Sequence, residues 1–322
     1  MRGPFDSGLA RGLTLLELLL VVVILAALAT AAVATLDQTD LQSRHDETRA
    51  RAQQVADAIA GPNRTLNGGA QLSGFVADMG RLPASLSELA SQGALASYVD
   101  DFGGSGAGAG WRGPYVRADQ DGTFRDGWGN GSGVAGDPNF GWVVSIAGTP
   151  FASFTLTTLG SDGAPGGTTW DAADTTTALL PDDYLVRVSS WSVDVVFTSS
   201  GAATWSQNVR LRIYTPSSGA DATLASVWPA SAAAADAAPF LSLATVVSVP
   251  AASSTRATFS FLDPLSQADK RVPIGLRTLA VVDAVTGAPA GSARPVPVAL
   301  APRASLPVLT GPAATPVAWM VP

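Results

Sequence analysis

Two groups of residues in this chain have the types and spacing to do chemistry, and both are built on carboxylates. One lies in residues 158–174, Thr-Leu-Gly-Ser-Asp-Gly-Ala-Pro-Gly-Gly-Thr-Thr-Trp-Asp-Ala-Ala-Asp. Calcium takes about six to eight oxygen ligands in flexible geometry, and carboxylates of a short loop converge only where glycine permits tight turns. Gly160 and Gly163 flank Asp162, and Gly166-Gly167 lets the chain reverse so that Asp171 and Asp174 approach it. The competing reading is an ordinary polar turn with solvated carboxylates. The other group is Glu17, a single acid near the start of a long apolar run. A carboxylate there is costly unless it has a partner, and such acids usually mark function.

Composition excludes several chemistries. The chain has 322 residues, no cysteine and one histidine, His45. Disulfides, thiolate metal sites and cysteine nucleophiles are therefore absent, and most zinc and acid–base chemistry lacks its usual residue. His45 is expected on a solvated helix position. With 19 Lys and Arg against 26 Asp and Glu, a net charge of −7 and a pI near 4.6, no nucleic-acid partner is expected. A tethered hydrolase is the poorest reading: no histidine lies outside the first helix and there is no nucleophile elbow to give a serine its base. The expectation is a non-enzyme.

The elements that must position these groups begin with a helix. From Leu18 to Leu36 no residue is charged, and as a helix that run rises about 28 Å, close to the hydrocarbon thickness of a bilayer. Arg2 and Arg11 precede it, the asymmetry that keeps a leader in the cytoplasm. Ala52, Val55, Ala56 and Ile59 then recur at helical spacing and Gly61-Pro62 ends the pattern. Residues 13–60 thus read as one rod of about 70 Å. Its first half, 13–36, is for the membrane, and its second half has one stripe to bury. A secretory signal peptide, cut at Ala27-Leu28-Ala29, Ala29-Thr30-Ala31 or Ala32-Val33-Ala34, and a plain single-pass anchor are the alternatives.

Gly12-Leu13-Thr14-Leu15-Leu16-Glu17 ahead of that run closely resembles the processing site of the type IV pilin and type II secretion pseudopilin family. Two further segments resemble the major pseudopilins in the same order. Trp111-Arg112-Gly113-Pro114-Tyr115-Val116 with Asp126-Gly127-Trp128-Gly129-Asn130 is similar to the family's Gly-Pro-Tyr and Asp-Pro-Trp-Gly-Asn runs, which open a small antiparallel sheet; Gly127 stands where the family has proline. The 158–174 segment is similar to the family's calcium loop, with Thr158 in place of serine. Gly80 to Ala90 reads as a turn and short helix, and Phe140 to Ile146 and Phe151 to Leu159 as strands.

The resemblance implies that residues 1–12 are a leader removed by a prepilin peptidase between Gly12 and Leu13. Leu13 is then N-methylated, and Glu17 pairs with the Leu13 amine of a neighbouring copy to set assembly register. It implies that the Leu159 carbonyl and the carboxylates of Asp162, Asp171 and Asp174 bind calcium. It also implies an inner-membrane, single-pass protein whose globular part faces the periplasm or cell surface. The implied partners are other copies of the chain, minor pilins or pseudopilins, the peptidase and an inner-membrane assembly platform.

Beyond residue 184 the chain outruns that family. Residues 184–188, 192–197, 209–214, 241–249, 256–261, 276–283 and 294–300 read as strands, and the alanine-rich 220–238 as a loop. The expected fold is α+β: a long N-terminal transmembrane helix on a small pilin-like antiparallel sheet, residues 61–184, followed by an all-β, sandwich-like domain, residues 185–322. The functional expectation is a structural subunit of a type II secretion pseudopilus or type IV pilus-like filament. The alternative is a pilin-anchored adhesin that binds through its C-terminal β domain.

Overall fold

The computed structural model describes residues 15–61, 73–100, 108–131, 136–147, 153–189, 191–215, 241–261, 271–291, 296–300, 308–309 and 317–322. The leader, the expected cut at Gly12 and Leu13, and the alanine-rich segment 220–238 lie outside them.

Helix α1, Leu15–Ala60, is a single unbroken helix. Every residue from Leu15 to Asp40 is exposed, so about 40 Å of helix stands clear of the rest of the chain. In this part Thr30 Oγ1 donates to Ala26 O at 2.6 Å and Thr35 Oγ1 to Ala32 O at 2.8 Å. Hydroxyls folded back on their own helix present no unpaired polar group to an apolar surrounding. By length and composition α1 is able to cross a membrane. Further along, Ala52, Val55, Ala56 and Ile59, the stripe legible in the sequence, are buried, and so are Thr48, Ala58 and Ala60. Gly61 stops the helix in the left-handed conformation at φ 87°, its N–H donating to Asp57 O at 2.7 Å.

Against that stripe pack the short helix α2 (Phe75–Met79) and an antiparallel sheet, with the short helix α3 (Ser87–Ala90) contributing Leu89 to the same apolar core. The sheet consists of β1 (Val143–Ala147), β2 (Ser153–Thr158) and β3 (Thr175–Leu179) in the order β1-β2-β3. Phe154, Leu156 and Thr158 alternate inward along β2, as period-two burial requires. Strand β3 was not among those expected from sequence; its run of threonines carries little apolar signal. Trp111–Val116 and Asp126–Asn130, expected to open the sheet, instead form turns and an isolated bridge.

After α4 (Pro181–Tyr184) the chain is mostly antiparallel β. The strands are β4 (Leu185–Arg187), β5 (Ser192–Ser199), β6 (Trp205–Tyr214), β7 (Thr245–Val249), β8 (Ser254–Ser260), β9 (Arg271–Pro273), β10 (Gly275–Asp283), β11 (Val296–Leu300), β12 (Val308–Leu309) and β13 (Val317–Val321). They form a five-stranded sheet β12-β11-β10-β6-β7, a three-stranded sheet β13-β5-β8 and the pair β4-β9. One pairing, β13 with β5, is parallel. Phe197 of β5 stacks on Trp205 of β6 with ring centres 5.9 Å apart, bringing the two larger sheets into contact.

The helix region and the β region share a junction. Arg277 of β10 is 1% exposed, and all five of its N–H donors meet carbonyl oxygens. Nε donates to Pro273, one terminal nitrogen to Ala77 and Leu276, and the other to Val76 and Ile274. Burial pulls its pKa down to about 9, against the opposing pull of the Asp78 carboxylate. Gly275, at φ 130°, admits this contact, since a Cβ there would stand 2.6 Å from Ala77 O.

Candidate functional site

Thr158 and Thr175 are direct partners in the β2–β3 ladder, so the sheet clamps both ends of the loop 159–174. Inside it, Ser161 N donates to Asp171 O at 2.8 Å and Ala173 N to Thr169 O at 2.9 Å. Gly160 and Gly167 adopt φ of 65° and 86°, and a Cβ on them would come within 2.3 and 2.2 Å of the Ala172 carbonyl. Only glycine lets both turns close on that one oxygen.

The acids expected to act together each hold a local donor. Asp162 Oδ1 accepts from Ala164 N at 3.1 Å, Asp171 Oδ2 from Ser161 Oγ at 3.0 Å, and Asp174 Oδ2 from Gly166 N at 3.0 Å. Hydrogen bonds from Thr169 and then Ser161 hold the Asp171 carboxyl below its ordinary range. Leu159 is partly buried where β2 enters the loop. Among the described residues no three His, Cys, Asp or Glu side chains gather into a group able to hold a metal. The loop therefore brings Asp162, Asp171 and Asp174 into one glycine-turned segment without converging them. In kind the expected donors are all oxygens, three of them carboxylates, the ligand type of a hard cation.

Beneath the loop lies a brace that sequence reading missed. Asp126 is 6% exposed. Its Oδ2 accepts from Thr158 Oγ1 at 2.5 Å and from Asn130 Nδ2 at 2.9 Å, and its Oδ1 accepts from Asn130 N at 2.9 Å. Asn130 Nδ2 also donates to Gly160 O at 2.6 Å. On the other side Gly127 N donates to Thr48 Oγ1 at 2.9 Å, and Thr48 Oγ1 donates to Arg44 O at 2.8 Å. A Cβ at Gly127 would stand 2.3 Å from Arg44 O, so the turn lies directly on α1. The signal available in sequence was an aspartate and an asparagine four residues apart around two glycines.

His45 also departs from expectation. Its side chain is 23% exposed and sits between Trp128 and Trp170, with ring centres 6.4 and 5.8 Å away, both edge-on. Trp170 belongs to the loop and Trp128 to the brace, so the lone histidine is where both rest on the helix. Glu17 is in the first turn of α1, where an acid complements the helix dipole. Comparison of the chain with protein-family models, with curated proteins and with solved structures gives no match.

Proposed function

We propose that this chain is a membrane-inserted, prepilin-like structural subunit of a type II secretion pseudopilus or type IV pilus-like filament. It is cut after Gly12 by a prepilin peptidase, N-methylated on Leu13 and polymerised through α1. The observation that carries the reading is the wholly exposed apolar half of α1, from Leu15 to Leu36, projecting from a globular part that packs only on the other half. Such a surface is too large and too apolar to remain in water, and lipid or neighbouring copies of the same helix are its natural cover. Glu17, set in that apolar surface, pairs with a neighbour's Leu13 amine, because an acid buried without a partner costs on the order of several kcal/mol and slipped registers lose that pairing.

In this reading the helix, the short helices and the β1-β2-β3 sheet form a pilin-like head. The five- and three-stranded sheets are two leaves of a sandwich that faces outward, and the Phe197–Trp205 contact supports that arrangement. The loop binds calcium through Leu159 O, Asp162, Asp171 and Asp174. The ion supplies charge that lets the acids approach one another, and the role throughout is structural and not catalytic. The protein sits in the inner membrane before assembly, with its head outside the cytoplasm. Intact-mass measurement of the mature protein tests the reading: a chain starting at methylated Leu13 supports it, and one starting near Thr35 makes the protein a secreted soluble one.

A further inference from the structure

Beyond its apolar part, α1 carries charged side chains that close on near neighbours, except Asp37 and Arg49. Arg44 pairs with Asp40 at 2.9 Å, and Arg51 pairs with Glu47 and with Asp119, each at 2.9 Å. Asp46 accepts from Gln42 at 3.0 Å and Asp57 from Gln53 at 2.8 Å. Asp37 and Arg49 are exposed and meet no partner among the described residues. Arg49 stands in a cleft of about 500 Å³ between α1 and β3, the open edge strand of its sheet. The helix side of the cleft is Asp46, Arg49, Ala50 and Gln53, spaced as one face of a helix, and the small Ala50 leaves room for a second helix to approach. The same face continues toward the N-terminus through Gln42, Thr39, Thr35, Ala32 and Leu28, all exposed and none charged, into the apolar half. Asp37 lies about two and a half turns before Asp46 and so on the opposite side of α1.

We infer that the cleft is where a second copy of this chain docks the opposite face of its α1, setting its Asp37 on Arg49. The inference rests on the reading of α1 as the assembly helix and adds a contact beyond the apolar half. Charge selects the occupant: the cleft holds an unpaired cation, and α1 of another copy presents an unpaired carboxylate on its far side. The uncharged face that leads into the cleft lets the apolar part of that helix lie along it. Parallel helices placed in this way are offset by the twelve residues between Asp37 and Arg49, about 18 Å along the axis. The offset runs in the same direction as that of the Glu17–Leu13 pairing and is three times as long, twelve residues against four, so one stack of equal steps accommodates both. An exposed ion pair adds little strength; it selects one register and disfavours those that bring like charges together. Because the two surfaces lie on different sides of one helix, the contact is head-to-tail and leaves a free surface at each end, which is the condition for a filament.

Disulfide cross-linking of the full chain in cell membranes tests the contact, and the chain has no cysteine of its own to interfere. In the double variant Asp37→Cys, Arg49→Cys the two positions lie about 18 Å apart on one helix, too far for a disulfide within a chain. Oxidation is expected to give a ladder of dimers, trimers and higher species, while either single variant stays monomeric. Dimers alone from the double variant would mean a closed contact. No disulfide, or single variants that cross-link as readily, would mean that the two faces do not meet; each of these results overturns the inference. Charge reversal is the second arm. Asp37→Arg and Arg49→Asp each lower filament yield about tenfold, and the two combined restore it to within about twofold. A combined variant no better than the single ones also overturns the inference. If the unaltered protein forms no filaments, the filament reading fails, and the disulfide ladder in membranes decides the contact by itself.

Discussion

Arg277 donates to the carbonyl of Ala77 at 2.8 Å across 200 residues of sequence, deep inside the protein. The contact ties the last turn of α2 to β10, and the apolar side chains around it belong to one contiguous core that runs from α1 to β13. Arg277→Met would take the Arg277 donor from the Ala77 carbonyl and leave Val76 O with the Gly80 N–H, and is expected to cost about 3 kcal/mol in urea unfolding. Gly275→Ala, which drives a methyl against Ala77 O at a φ hostile to side chains, should cost about 1–3 kcal/mol. A shift under about 0.5 kcal/mol for both would mean that the junction adds nothing to stability.

The same contact bears on the C-terminal region as a module. Residues 185–322 expressed alone keep Arg277 but lose the Val76 and Ala77 carbonyls that satisfy it. The fragment is expected to fold with a β-type spectrum and to melt below the same region in the full chain. Equal melting temperatures would show that the two parts are energetically independent.

Gly127 is held to α1 through its backbone. Its N–H donates to Thr48 Oγ1, and proline has no N–H to give. Gly127→Pro should therefore destabilise this chain by about 1–3 kcal/mol. A neutral or stabilising result in thermal melts would remove that bond from the account.

On the proposed filament reading, Glu17→Leu is processed and inserted normally yet assembles poorly, because in that reading the paired acid sets register and not membrane insertion. Filament yield in cells, beside the level of processed subunit, is the measurement. Normal yield from the variant would reject the pairing.

Tyr184 is buried, and that burial raises its pKa to about 12 from an ordinary value near 10. The unfolded chain therefore gives up this proton first as pH rises. The contribution is complete below about pH 10 and drains away between about 10 and 12. Tyr184→Phe should flatten that part of the stability curve in urea titrations at pH 9, 10.5 and 11.5. An unchanged slope would mean that Tyr184 does not set it.

What could be read from the sequence alone follows from local rules. The rod and its buried stripe at Ala52, Val55, Ala56 and Ile59 were legible because helix period and apolar length are properties of neighbouring residues. Most strands after residue 184 were legible because alternation needs only a few positions. The glycine-turned loop was visible too, since glycine marks where the chain must bend. Strand β3 was hidden because threonines pair in a ladder without an apolar pattern to announce them. The rest was decided by contacts between distant segments: Asp126 beneath Gly160, Gly127 pressed on Arg44, His45 between two tryptophans and Arg277 under α2. A hydrogen bond or a desolvated charge depends on which groups meet in space, and nothing at positions 77 and 277 by themselves says that they do.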